Sequence, residues 1–268
     1  MSRLAYVANV SLPSQRAGAV QVLNQCQALI QAGGEVELIV PYRLARSTEA
    51  KKLADLAGST GLRRLPRLVF LPCLDLTFFS DRLPERLALA LFYLQHLSFL
   101  AVVALVLVLR RPSWVHTREV HLPLFWGRVL ERLGVRMTLE LHNFPTSRAG
   151  IWVHRLAVRR VAGVAVISQG LAQAIEEGGL APRRLSVLPD AVGEAFFKPL
   201  GAVGELRHDL DLPPEGPIVL YAGTLYWAWK GVRSLIEAQR LSGERAWLVI
   251  VGGSPQRRHL KELKALVE

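Results

Sequence analysis

The chain predicts an α/β fold of parallel strands joined by crossover helices, and three observations lead there. Apolar runs of strand length alternate with apolar residues at helical spacing along the whole chain. Strand-loop-helix openings of one kind stand near both ends, at residues 4–30 and 217–241. Glycine or proline marks most junctions. With 268 residues, 51% of them hydrophobic, the chain buries enough core for one large or two smaller domains, which excludes general disorder. A net charge of +11 favours anionic partners: a nucleotide diphosphate, acidic lipid or nucleic acid. The arginines are scattered with no aromatic stacking motif among them, which argues against nucleic acid. Cys26 and Cys73 lack metal-ligand spacing, so no metal is expected and reduced thiols in the cytoplasm are. The first residues do not follow signal-peptide order.

Taken in order, residues 4–10 read as a strand, and Ala19, Val22, Leu23, Cys26, Leu29 and Ile30 trace one face of a helix that stops at Gly33-Gly34. Residues 36–41 form the next strand. In the loop between the first strand and its helix, Gly18 allows a backbone amide to approach a ligand closely, although a lone glycine there serves equally as a plain turn. Residues 43–67 are polar and basic, with a short helix expected over 49–57 and a strand over 67–72; Arg63, Arg64 and Arg67 are solvated charges or face an anionic acceptor or lipid head groups.

Residues 87–109 carry no formal charge and are long enough to cross a bilayer. Gln95, His96 and Ser98 near the middle, arginines at both ends and strands on either side favour a helix buried in the domain or pressed onto a membrane surface over a span. A strand over 114–116 precedes Arg118, a candidate for orienting an acceptor. A helix over 122–133 ends at Gly134, and the strand over 136–142 carries His142 at its carboxyl end, the edge where ligands collect in open parallel sheets. A basic helix over 155–161, a strand over 164–168, a helix over 169–178 capped by Ser168, and a strand over 185–189 complete this part. Residues 200–216, rich in glycine and proline, read as a hinge that divides an acceptor-side domain, residues 1–199, from residues 200–268.

The second opening carries the clearest chemical signal. Pro217-Ile-Val-Leu-Tyr-Ala222 is a strand, a helix begins at Gly231 with Val232, Leu235 and Ile236 on one face, and residues 246–252 form a second strand that closes a βαβ unit. Gly223 and Thr224 at the strand end, and Lys230 just before the helix, bring backbone amides, the positive end of a helix dipole and one ammonium together. These are the components of a phosphate or diphosphate site.

This stretch, Gly223-Thr-Leu225 followed by Trp229-Lys-Gly-Val232 and Leu235-Ile-Glu-Ala238, resembles the start of the donor-binding domain in retaining glycosyltransferases of family 4. The resemblance extends to Glu140-Leu-His142, to Val166-Ile-Ser168 with Leu171-Ala172, and to Val187-Leu-Pro-Asp-Ala-Val192 with Phe196. It implies a GT-B-like fold: one complete Rossmann-like domain, residues 1–199, plus the first βαβ portion of a second, nucleotide-sugar-binding one. It also implies transfer of a sugar, with retention, from a nucleotide-diphosphate sugar, the donor substrate, to a glycan or lipid-linked acceptor. No further cofactor is implied. His142 is the implied catalytic residue, and Gly18, Gly223, Thr224 and Lys230 the implied donor or diphosphate contacts. An anionic membrane surface on the cytoplasmic side is a further expected partner.

Four departures accompany the resemblance. Ala17-Gly18 stands where the family has a glycine pair, and Thr224 where it has arginine; Asp190, Ala191 and Gly193 replace its Asn, Gly and Asp. No Glu-(x)7-Glu motif, the family's acidic donor contact, follows, so the sequence reads as truncated within the second domain, with exposed apolar faces and little activity alone. Two alternatives remain open at this level: a membrane-associated or degenerate nucleotide-binding protein without catalysis, and a GT-B sugar-nucleotide epimerase.

Overall fold

Seven strands of the first unit lie parallel in one sheet, in the order β3-β2-β1-β4-β5-β6-β7. They are β1 (Arg3–Val7), β2 (Glu35–Pro41), β3 (Arg67–Leu71), β4 (Trp114–Thr117), β5 (Arg136–Leu141), β6 (Gly163–Val166) and β7 (Leu185–Val187). The structure is a computed structural model and describes residues 3–14, 16–43, 64–191, 197, 207–225, 230–243, 246–253 and 257–267. Contacts divide the chain into two compact units, Met1–Phe197 and Lys198–Glu268.

Because side chains alternate across a strand, each strand of the sheet serves two different cores. Tyr6, Leu38 and Val40 pack with α1 (Ala17–Gln31) through Val22, Leu23 and Cys26. Ala5, Val7, Ile39, Val115, Leu139 and Leu141 face the opposite way, into the larger cluster fed by the following helices. These are α2 (Glu85–Arg110), α3 (His121–Arg132), α4 (Arg148–Val158) and α5 (Gln169–Glu177). The pairing of Tyr6 with His116, and of His116 with Thr138, puts three polar-capable side chains in one row on the α1 side. The same parity carries Arg118, Glu140 and His142 to that side at the carboxyl edge.

Helix α2 has 26 residues, a length of about 39 Å at the usual rise. Its buried stripe is Gln95, His96, Phe99, Leu100, Val103, Ala104 and Leu107, while Leu87, Leu94, Leu97, Leu105 and Leu109 on other faces are 41–73% exposed. The helix is long and apolar enough to cross a membrane by length and composition, yet the two polar residues at its middle are among its most buried. Packing against the sheet, which pairs those groups, accounts for both facts.

Two local readings are corrected. The basic helix expected over 155–161 begins seven residues earlier, at Arg148, because the Ser147 hydroxyl accepts a hydrogen bond from the Gly150 amide at 3.0 Å and caps it. An unanticipated 3₁₀ turn, Thr77–Arg82, follows β3; the Asp75 carboxylate accepts from the Thr77 amide at 3.2 Å and from its hydroxyl at 2.5 Å. Ser168 caps α5 as expected, accepting from the Leu171 amide at 3.2 Å. The helix expected over 49–57, Arg63, Gly193 and residues 200–206 of the glycine- and proline-rich hinge segment lie outside the described residues.

In the second unit β8 (Ile218–Ala222) and β9 (Trp247–Val251) pair parallel, joined by α6 (Val232–Leu241) and followed by α7 (Arg257–Val267). Leu225, Val232 and Ile236 are its buried residues, with Tyr221, Leu248, Ile250, Leu260, Leu263 and Leu266 packed around them. Leu220 and Val251 are 63% and 54% exposed.

Candidate functional site

The candidate residues fall into two groups, one in each unit. In the first, the carboxyl edge of the sheet gathers Gly18, Arg118, Glu140 and His142. Gly18 sits in the first turn of α1, a helix start with no side-chain cap and no acidic residue. A Cβ placed on Gly18 would meet nothing within 4 Å, and the residue lines a cavity of about 590 Å³ with Asn9, Arg43, Thr77, Phe78 and Phe92. The space before the Gly18 backbone is therefore open.

Arg118 leaves the end of β4 and joins the α1 start to the β5 end. One Nη donates toward the Gly18 carbonyl at 3.5 Å, and the other reaches Gln21 Oε1 at 3.2 Å and both ring nitrogens of His142, Nδ1 at 3.0 Å and Nε2 more closely. Its Nε lies 3.6 Å from Glu140 Oε1, which also accepts from His142 Nε2. The other Glu140 oxygen accepts from Gln25 at 2.7 Å and from His116 Nε2 at 3.0 Å. Glu140 is 3% exposed. Burial alone would push its carboxyl up, but the hydrogen bonds from His116, His142 and Gln25 and the Arg118 charge outweigh that and hold it well below the usual carboxylate range.

On the opposite sheet face, at the same edge, a second polar cluster docks α2. The Asn9 amide group donates to His96 Nδ1 at 3.0 Å, and the Asn9 backbone N–H donates to Glu119 at 2.7 Å. Gln95 Nε2 and Arg43 donate to Asn9 Oδ1 at 3.2 Å and 3.0 Å. Burial raises the Glu119 carboxyl, and burial with the neighbouring His121 pushes His96 down to about 4.

In the second unit the turns after β8 and β9 are laced together. The Gly223 N–H donates to Val251 O at 2.9 Å and the Leu225 N–H to Gly253 O at 3.1 Å. A Cβ on Gly252 would overlap the Gly223 carbonyl oxygen, so this approach requires glycine. Thr224 is exposed, and its carbonyl accepts from the Tyr221 hydroxyl at 2.8 Å. Helix α6 starts on Gly231 at φ +71°, the left-handed region, again without a side-chain cap or an acid in its first turn. Its first amides are thus presented at the positive end of the dipole, with exposed Lys230 immediately before them. Arg233 in the first turn of α6 donates to Glu237 at 3.1 Å. Trp227 and Trp229 of the motif lie outside the described residues.

The structure thus brings Gly18 and His142 to one edge through Arg118, while Gly223 and Thr224 follow the end of β8 and Lys230 precedes α6. Sequence reading missed His116 and the hub role of Glu140. The available signal was period two: Glu140 and His142, like His116 and Arg118, stand two apart at neighbouring strand ends and so share a face.

The chain is similar in fold to HepE of Anabaena solved with UDP (15% identity, TM-score 0.68), covering 100% of this chain and 65% of that one. Sucrose-phosphate synthase of Thermosynechococcus elongatus aligns at 16% identity and TM-score 0.68 over 99% of this chain and 66% of its own. The catalytic domain of starch synthase IV from Arabidopsis thaliana, bound to ADP and acarbose, gives 13% identity and TM-score 0.69 over 99% and 71%. The chain therefore spans about two thirds of the length of these GT-B structures. At such identities the likeness establishes the fold alone. Sequence comparison with curated proteins finds no match. The profile described as Glycosyltransferase Family 4 matches residues 18–195, most of the first unit. The chain belongs to Glycosyltransferase Family 4.

Proposed function

We propose that the protein transfers a glycosyl group, with retention, from a nucleotide-diphosphate sugar to a glycan or lipid-linked acceptor. Gly223, Thr224 and Lys230 hold the diphosphate, Gly18 lends a backbone amide to the donor, and His142 meets the reacting sugar. The supporting observation is the uncapped α6 start on Gly231, with Lys230 before it and no acid in its first turn. As the donor bond breaks, negative charge builds on the leaving diphosphate. Amides and an ammonium fixed in advance stabilise that charge more in the transition state than in the ground state. Thr224 supplies a hydroxyl and no charge, and Arg233 is neutralised in part by Glu237, so diphosphate affinity rests chiefly on Lys230 and the helix end.

We place the protein in the cytoplasm, peripheral on an anionic membrane surface. The outward leucines of α2, with Phe78 and Phe79 of the 3₁₀ turn 47% and 45% exposed, support this, as do Arg86 before and Arg110 and Arg111 after the apolar stretch.

The direct test is calorimetric titration of UDP, ADP and GDP into the full-length protein, followed by transfer assays with the corresponding sugars. Binding of one nucleotide at micromolar level, weakened at least tenfold by Lys230→Ala, is expected; binding unaffected by Lys230→Ala refutes the assignment of the diphosphate site. The second reading, a nucleotide-binding protein without catalysis, is favoured by Thr224 and predicts binding with no transfer to any acceptor.

A further inference from the structure

We infer that Glu140 is a positioning residue: its buried carboxylate fixes the tautomer and orientation of His142 and ties Arg118, and through it the Gly18 turn, to the same frame. Its part in turnover rests on the glycosyl-transfer reading above.

An ionised carboxylate can only accept hydrogen bonds, so every group bonded to Glu140 must present a hydrogen. Glu140 Oε1 and His142 Nε2 are in hydrogen-bond contact. One Arg118 Nη touches both ring nitrogens, Nδ1 at 3.0 Å and Nε2 more closely, and can only donate; since the carboxylate takes the hydrogen on Nε2, the lone pair that receives the guanidinium is the one on Nδ1. The same rule sets His116. Its Nε2–H donates to Glu140 Oε2 at 3.0 Å, and its Nδ1 pairs with the Thr138 hydroxyl at 2.8 Å. Gln25 from α1 supplies the third donor at 2.7 Å.

One side chain thus collects donors from three elements, α1, β4 and β5. The Arg118 guanidinium is shared between that carboxylate, His142 and the α1 start, so the imidazole and the Gly18 turn are held by a common partner. The His142 side chain is 22% exposed, more than those of His116, Arg118 and Glu140, and Glu140 is buried. A buried ion is costly to desolvate, and an apolar residue of similar size is commonly as stable or more so. What the ion adds is direction: two imidazoles with one defined tautomer each, and one arginine with a fixed plane.

The test uses the full-length protein with ¹⁵N-labelled histidine. In the wild type at pH 7, His142 should show a protonated Nε2 and an unprotonated Nδ1. In Glu140→Gln, whose amide offers a single acceptor oxygen, His142 should become a mixture of tautomers. The kcat for transfer should fall about 10- to 100-fold with the donor KM changed less than about threefold, the pattern of lost orientation rather than lost binding. Gln25→Ala, which removes only the α1 donor and leaves the carboxylate, keeps the test open should Glu140→Gln fail to fold; it should shift the His142 signals in the same direction but less. Wild-type tautomer signals in both variants, or a kcat loss no larger than the loss of folded protein, overturns the proposal. If the wild type transfers no sugar, glycosyl transfer fails as the function, and the tautomer shift by itself decides the role of Glu140.

Discussion

Removing the imidazole at position 96 should flatten the acid dependence of stability of the first unit. His96 is 4% exposed. Its Nδ1 accepts from Asn9 at 3.0 Å, its Nε2 lies 3.1 Å from His121 Nδ1, and the Glu119 carboxylate stands 3.6 Å from Nδ1. Arg43 faces the same cluster through Asn9. Burial, and then His121, push the His96 value from 6.5 down to about 4. The folded value is below the unfolded one, so the unfolded chain binds the extra proton first. Stability is full above the unfolded value and is lost as pH falls from about 6.5 toward 4. Between pH 7 and pH 4.5 this one site costs about 2.5 kcal/mol, from roughly 1.4 kcal/mol per pH unit per proton. Glu119, whose carboxyl is raised, acts with the opposite sign, and Glu140, whose carboxyl is lowered, acts only below its ordinary value of 4.5. His96→Gln keeps a donor and an acceptor but cannot take the proton. Urea unfolding at half-unit steps from pH 4.5 to 7, with hydrogen exchange at Tyr6 and Val7 to report the first unit, should show the pH-dependent loss shrink by about 2 kcal/mol. An unchanged slope would refute the burial argument.

Gly252→Ala should destabilise the second unit by about 2 kcal/mol or more, since its Cβ overlaps the Gly223 carbonyl oxygen; a circular-dichroism melt reads this, and an unshifted transition excludes the tight approach. Gly18→Ala should leave the melting temperature unchanged or slightly raised, because nothing lies within 4 Å of the new methyl, yet weaken donor binding measured by calorimetry. Phe99→Ala should cost about 3–5 kcal/mol in urea unfolding, as the ring is wholly buried between α2 and the sheet. For membrane attachment, co-sedimentation with vesicles containing phosphatidylglycerol should be lost in the combined Leu94→Glu and Leu105→Glu variant and weakened by salt. Equal sedimentation of wild type and variant would remove α2 from the membrane role.

Strand and helix identities were legible because period two and period 3.6 act locally: Tyr6 and Val7 point to opposite cores, and Leu23 and Cys26 share a stripe, whatever else the chain does. Ser147 was overlooked as a helix cap because an isolated serine before Arg148 reads equally as loop. The apolar run at 87–109 shows the opposite limit. Composition offered a span, a buried helix and a surface helix alike, and only the fold shows that Gln95 and His96 meet Asn9 and Glu119, residues far away in the chain.

The same division holds at the site. The turn at Gly223, the lysine at 230 and the histidine at a strand end follow from residue type and spacing, since a glycine, a cation and a helix start keep their properties wherever they are placed. Parallel pairing of β4 with β5, and the packing of α1 over them, determined that Glu140 would meet His116, His142, Arg118 and Gln25 at once. A carboxylate's partners, and so its charge state, depend on which distant groups share its dry surroundings, and that is fixed only when the sheet is assembled.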